Sequence, residues 1–186
     1  MIRNEIKNIR ELSVENYEGT NIRQTINDNI LDNIARYRAD WNYFNETYLD
    51  IKDIVLFQKM ILTTVADNDV IDVIASRGLS KSFITALCAL DIALLYPKSE
   101  ILVVSKTIGQ ANLIITEKIK NGFCAKGTKF ASPVLVQMRK DNYIRIVADD
   151  YGCMQVIFGN GSTIKAIVCG EGGRGKIYLF YLKHII

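Results

Sequence analysis

The feature that most constrains the fold is an alternation of apolar runs of strand length with runs of helix length, beginning at residue 70. VIDVIA (70–75) is β-branched and as long as a strand, and SFITALCALDIALLY (82–96) is a helical run that the next residue, a proline, must end. A second strand, ILVVS (101–105), precedes a helical segment that begins near Thr107 and that Gly122 can cap. Strands joined through helices pair in parallel by right-handed crossovers, so this order predicts an α/β fold with a parallel sheet flanked by helices.

Helical patterns precede this alternation. From Asp28 onward apolar residues recur at steps of three and four, which predicts one helix with a packing face formed by Ile30, Ile34, Tyr37, Trp41, Phe44 and Tyr48. A second helix is predicted from the spacing of Ile54, Phe57, Ile61, Leu62 and Val65, and the polar cluster 67–69 ends it.

The last third of the chain has strand patterns. YIRIV (143–147) and MQVIFG (154–159) are strand-like, and STIKAIV (162–168) continues the pattern. Asn160-Gly161 between the last two is the preferred pair for a tight two-residue turn. We therefore expect an antiparallel hairpin added to the parallel core.

Composition limits the function classes. The 186 residues suit one domain with a hydrophobic core, and a net charge of +3 is far from the strongly basic balance that by itself indicates nucleic-acid binding. The N-terminus lacks the pattern of a signal peptide, and the longest apolar stretch is shorter than the ~18 residues of a membrane span. Four cysteines without a CxxC pair and the single His184 do not favour a metal site, and we expect reduced thiols in a cytoplasmic protein without membrane contact.

The loop between the first predicted strand and its helix, ASRGLSKS (75–82), invites comparison with the phosphate-binding form GxxxxGK[ST]. Lys81 and Ser82 stand at the required positions, whereas Ala75 and Ser80 replace the two glycines. In that form backbone N–H groups and the helix N-terminus surround the phosphates, the lysine reaches the β and γ oxygens, and the hydroxyl holds Mg²⁺. The alternative is a capped helix start, with Ser80 as N-cap and Lys81 in the first turn.

The loop SRGLSKS is followed by LLYPKSEILVVS, the helix opening KTIGQAN, the phrase NGSTIKAIV (160–168) and Gly173-Arg174-Gly175. In this order, the motifs resemble the ATPase part of bacteriophage terminase large subunits, the motors that pump DNA into capsids. The resemblance covers about residues 54–176 and implies a P-loop NTPase core.

The resemblance also implies roles for individual residues. Lys81 would contact the β and γ phosphates of ATP, Ser82 would hold Mg²⁺, and Arg77 would stabilise the γ-phosphate in catalysis. The implied ATP-binding set is Gln58, Ser76, Arg77, Gly78, Leu79, Ser80, Lys81 and Ser82. In that set Gln58 resembles the family's adenine-reading glutamine, and its alternative is a solvated helix residue. Arg174 would contact an anion, and its alternative is a surface loop.

Part of the family's machinery is missing. A second strand should end in an acidic pair that orients Mg²⁺ and activates water, but IYLFYL (177–182) leads into Lys183-His184. Asp149-Asp150 is the nearest acidic pair, and it precedes the hairpin. The sequence is thus interpreted as an N-terminal helical segment (1–50), a partial P-loop core (51–176) and an aberrant or truncated tail (177–186), without the nuclease domain.

Three functional hypotheses follow. The first is the ATP-binding front portion of a terminase-like packaging motor, impaired in hydrolysis, whose family partners are double-stranded DNA, the small terminase subunit and the portal, in the cytoplasm of the host. The second is a remnant or interaction module without catalysis. The third is another P-loop ATPase of the helicase kind.

Overall fold

The computed structural model describes residues 22–68, 70–74, 76, 78–168 and 177–182. The helices are α1 (Ile22–Ala39), α2 (Trp41–Thr47), α3 (Leu56–Asp67), α4 (Lys81–Leu95), α5 (Ile108–Leu113), which continues into a π-helical segment (Ile114–Phe123), and α6 (Pro133–Lys140). The strands are β1 (Glu100–Ser105), β2 (Ile144–Ala148), β3 (Met154–Phe158), β4 (Thr163–Val168) and β5 (Ile177–Leu182). Two compact units divide the chain after Ala39, so α1 belongs to the first unit and every other element to the second.

The five strands form one mixed sheet in the order β2-β3-β4-β1-β5. β1 and β4 are parallel, with Glu100 opposite Thr163 and Ser105 opposite Val168, and every other neighbouring pair is antiparallel. The predicted α/β class with a sheet flanked by helices is confirmed, but the expected parallel sheet is reduced to one parallel pair. The predicted strands 101–105, 143–147, 154–159 and 162–168 are confirmed to within one or two residues.

Helix α4 lies at the centre of the larger unit and orients the site described below. It ends before Pro97 as predicted, and 11 of its 15 residues are buried. Its C-terminal end is tied to the β3–β4 turn, because Asn160 Nδ2 donates to the Ala93 carbonyl (2.7 Å) and the Lys98 N–H donates to the Asn160 carbonyl (3.3 Å). Since β1 then runs back along α4, the N-terminus of α4 lies toward the end of the sheet where the parallel strands β1 and β4 finish.

The predicted hairpin is present, with a longer turn than expected. The Phe158 N–H donates to the Ser162 carbonyl and the Gly161 N–H to the Phe158 carbonyl, which encloses three loop residues, not two. Gly161 has a φ of +84°, the left-handed conformation that closes such a loop with a bulge. The Asn-Gly pair therefore predicted the hairpin correctly and its turn type wrongly.

The strand predicted over VIDVIA is wrong over the described residues 70–74. These residues are irregular, and Val70 and Ile74 are 90% and 93% exposed. A strand needs a partner for its backbone groups, and both edges of β1 are already paired, with β4 and β5. The β-branched composition therefore did not produce a strand at this place.

The single helix predicted from Asp28 to Tyr48 is also wrong, because α1 and α2 are separate. Asp40 lies between them with extended backbone (φ −138°, ψ 95°), and its carboxylate accepts a hydrogen bond from the Tyr43 N–H (3.0 Å). An aspartate in that position caps a new helix more favourably than it continues an old one. The apolar stripe divides with the helix: Trp41 is buried, whereas Ile30 is half exposed.

The helix predicted near Thr107 begins at Ile108, and the Thr107 hydroxyl accepts from the Gln110 N–H. Gly122 does not cap it, because it lies within the π-helical segment, whose wider pattern continues to the bond from the Cys124 N–H to the Ile119 carbonyl (2.9 Å). Across the described residues, no helix has both the length and the apolar character that a bilayer crossing requires.

Candidate functional site

Among the described residues of the loop before α4, two lie in the left-handed region. Gly78 has a φ of +89°, and Ser80, the residue before the helix, has φ 53° and ψ 25°. Ser80 therefore adopts the backbone conformation that favours glycine, at the position where the phosphate-binding form has one. Ser80 stands at the N-cap position and Lys81 in the first turn, as the alternative predicted, but the Ser80 side chain makes no capping hydrogen bond to the helix. The N–H groups of the first turn of α4 are thus without that side-chain acceptor.

Replacing Ser80 by glycine is expected to raise the free energy of unfolding by about 1 kcal/mol, because the left-handed conformation is strained for a residue with a Cβ. Urea unfolding of Ser80→Gly measures the change. The matched control is Ser80→Ala, which keeps the Cβ and removes only a hydroxyl that caps nothing, and its stability should equal that of the wild type. Equal stability of all three proteins would show that the conformation carries no strain.

Lys81 and Ser82 begin α4. The Lys81 side chain is exposed, and its Nζ donates to the Ser76 carbonyl (2.6 Å), which folds the ammonium group back over the loop. The ammonium group is therefore held above the loop and not inside the core. Ser82 is half buried in the first turn of the helix.

A cleft of about 490 Å³ lies beside this helix start. Gly78, Ser80, Lys81 and Ser82 line it, together with four residues of the π-helical segment, Glu117, Lys118, Gly122 and Phe123. Phe83 and Phe130 complete the wall. The volume is in the range of small-molecule sites, and the lining combines helix-start amides, hydroxyls and ammonium groups with aromatic rings.

Three phenylalanines form the apolar end of this cleft. The ring centroid of Phe83 lies 5.0 Å from that of Phe123 and 4.7 Å from that of Phe130. Phe83 and Phe123 are buried, Phe130 is half buried, and Lys129 Nζ lies 5.5 Å from the centroid of the Phe130 ring. Sequence reasoning missed this wall, although two lysines precede each phenylalanine between Lys118 and Phe130.

Not all of the predicted site residues meet in the cleft. Gln58 is buried, and its Oε1 accepts from the Val55 N–H (3.1 Å) at the start of α3. The Ser76 carbonyl accepts a hydrogen bond from Lys81, and Leu79 is 45% exposed. Gln58, Ser76 and Leu79 are not among the residues that line the cleft. Arg77 and Arg174 lie outside the described residues.

The acidic residues that could take part in metal binding or hydrolysis are Asp149 and Glu117. Asp149 closes the β2–β3 turn by accepting from the Tyr151 and Cys153 N–H groups, and it forms an ion pair with Lys165 (3.6 Å). Glu117 is the carboxylate among the cleft-lining residues. In the described part of the chain no three His, Cys, Asp or Glu side chains come together as a metal site would require.

Comparison with protein-family models and with curated protein sequences finds no match to this chain.

Proposed function

We propose that the chain binds ATP with Mg²⁺ at the cleft beside α4, as the front portion of a terminase-like DNA-packaging motor. The observation that supports this most is the meeting of Gly78, Ser80, Lys81 and Ser82 at one cleft, at the start of a buried helix. Helix-start amides and the ammonium group would hold the polyphosphate, since both favour negative charge. The site would lie near the end of the sheet where its two parallel strands finish, which is where ligands bind in open α/β sheets.

The donor set suits the metal in part. The Ser82 hydroxyl would hold Mg²⁺ together with phosphate oxygens, and Glu117 is the carboxylate available across the cleft. Hydrolysis needs a carboxylate that activates water as well, and Asp149 is engaged in a turn and an ion pair. We therefore propose binding with impaired turnover. Contact with double-stranded DNA, the small terminase subunit and the portal, in the host cytoplasm, belongs to the same proposal.

Lys81→Ala is expected to weaken binding of Mg-ATP at least tenfold, because it removes the charge held over the loop. Isothermal titration of the intact chain with ATP, with Mg²⁺ and with EDTA, measures this. Lys140→Ala is the matched control, since Lys140 is an exposed lysine at the end of α6 outside the cleft lining. Identical binding by the wild type and Lys81→Ala would remove the phosphate site.

The interaction module remains the alternative, because α3 exposes apolar side chains. Leu56 and Met60, which lie on the same face one turn apart, are 75% and 62% exposed, and Val55 before them is 57% exposed. A wild-type chain that binds no ATP in the titration but self-associates in light scattering would favour this function. The helicase-like alternative shares the ATP site and would show ATP turnover stimulated by nucleic acid.

A further inference from the structure

The aromatic wall of the cleft is not needed by a polyphosphate. Phe83 follows Ser82 directly in the chain, and its ring contacts that of Phe130, so the wall begins where the phosphate-loop residues end. All three rings line the cleft, and the Phe83 ring contacts both Phe123 and Phe130. Phe83 and Phe123 are buried, whereas Phe130 is half buried, so Phe130 is the most exposed ring of the wall.

A flat aromatic ligand group is the chemistry that such a ring recognises. Nucleobases stack on aromatic side chains, and all four bases present a π-face. Gln58, the residue expected to read adenine, does not line the cleft, and its Oε1 is occupied by the Val55 N–H. The base of a nucleotide whose phosphates lie at Lys81 therefore requires another support.

We propose that the cleft binds a nucleoside triphosphate with its base stacked on Phe130, in a mode that discriminates little between bases. The proposal rests on the proposed function, because it assumes that the phosphates bind at the loop. Among the cleft-lining side chains beyond the loop, only Glu117 and Lys118 are polar, so the wall is mainly apolar. ATP and GTP are therefore expected to bind within about fivefold of each other.

The test compares nucleotides with inorganic tripolyphosphate, which has the charge without the base. Isothermal titrations with Mg²⁺ use the wild type, Phe130→Ala and Phe130→Tyr. Phe130→Ala should weaken ATP and GTP binding about tenfold and leave tripolyphosphate binding unchanged within twofold. Phe130→Tyr keeps a ring and should restore ATP binding. Thermal unfolding of each variant shows whether the fold is retained.

The outcomes separate the two proposals. If ATP and tripolyphosphate bind in a Lys81-dependent way but Phe130→Ala changes neither, base stacking is overturned and the phosphate site stands. Equal loss of both ligands in Phe130→Ala overturns stacking too, because the ring then acts only through packing. A preference for ATP over GTP well above fivefold overturns the stated lack of base discrimination. If the wild type binds neither ligand, both proposals fall.

Discussion

Asp91→Asn is expected to raise the free energy of unfolding at pH 8 by about 1–3 kcal/mol, because it removes the cost of holding an ionisable carboxyl group in the buried interior. Asp91 lies in the C-terminal half of α4 and is fully buried. Its Oδ2 accepts from Asn45 Nδ2 (2.8 Å), while Oδ1 is without a hydrogen-bond partner among the described residues. Asparagine keeps the shape and removes the charge, and urea unfolding at several pH values measures the gain.

The gain should depend on pH in one direction. Burial raises the pKa of Asp91 well above its ordinary value of 3.8, and the hydrogen bond from Asn45 lowers it less. The folded state therefore holds this proton more tightly than the unfolded state. The contribution that the protonated Asp91 makes to the free energy of unfolding is fully present below pH 3.8. This contribution is lost as the pH rises through the raised pKa of the folded state. The difference between Asp91→Asn and the wild type should be small at pH 4 and grow toward pH 8.

Asp91→Ala is the control for this experiment. It also removes the titrating group, so its pH profile should parallel that of Asp91→Asn. It loses the bond from Asn45 and leaves a cavity, so it should be less stable than Asp91→Asn at every pH. All three proteins keep the buried Cys88 one turn earlier. Burial raises the pKa of its thiol in each of them, and the charge of Asp91 raises it further in the wild type alone. A difference between Asp91→Asn and the wild type that is constant from pH 4 to 8 would show that Asp91 has no raised pKa.

Features decided by local chemistry were predictable from the sequence. Pro97 ends α4 because the residue before a proline is driven out of the helical region, and Asn160-Gly161 marks a turn wherever it stands between two strands. The start of α6 has a comparable signal, since Ser132 is its N-cap and Pro133 follows in the first turn. The loop residues Lys81 and Ser82 were found because their motif is contiguous.

Features decided by distant parts of the chain were not predictable. Whether VIDVIA becomes a strand depends on an open sheet edge, and β5, some 100 residues later in sequence, takes the edge of β1. The cleft has the same origin, because its other lining residues come from between Glu117 and Phe130 and no spacing in the sequence brings them to the loop. Gln58 is the opposite case, because it matches a motif position in the sequence but the fold uses its side chain to cap α3.

Ser132→Ala is expected to lower the free energy of unfolding by about 2–4 kcal/mol, because one hydroxyl makes two buried contacts. Ser132 is fully buried; its Oγ donates to the Leu49 carbonyl (2.5 Å) and accepts from the Leu135 N–H (3.3 Å) as the N-cap of α6. Alanine removes the N-cap hydrogen bond to the Leu135 N–H. It also removes the hydroxyl that donates to the carbonyl of the fully buried Leu49. Urea unfolding monitored by circular dichroism measures the loss.

Thr107→Ala is the control that separates the loss of a helix cap from the loss of the hydrogen bond to the Leu49 carbonyl. Thr107 caps α5 in the same way but is exposed, and its hydroxyl accepts from the Gln110 N–H (3.3 Å), so alanine there should cost about 1 kcal/mol. Equal losses in the two variants would show that the bond to Leu49 adds nothing. The Ser132 backbone N–H also donates to the Phe123 carbonyl (3.0 Å), which joins this residue to the aromatic wall. If this backbone bond positions the wall, the proposed ATP binding should persist in Ser132→Ala at temperatures where the variant remains folded, because alanine retains the N–H.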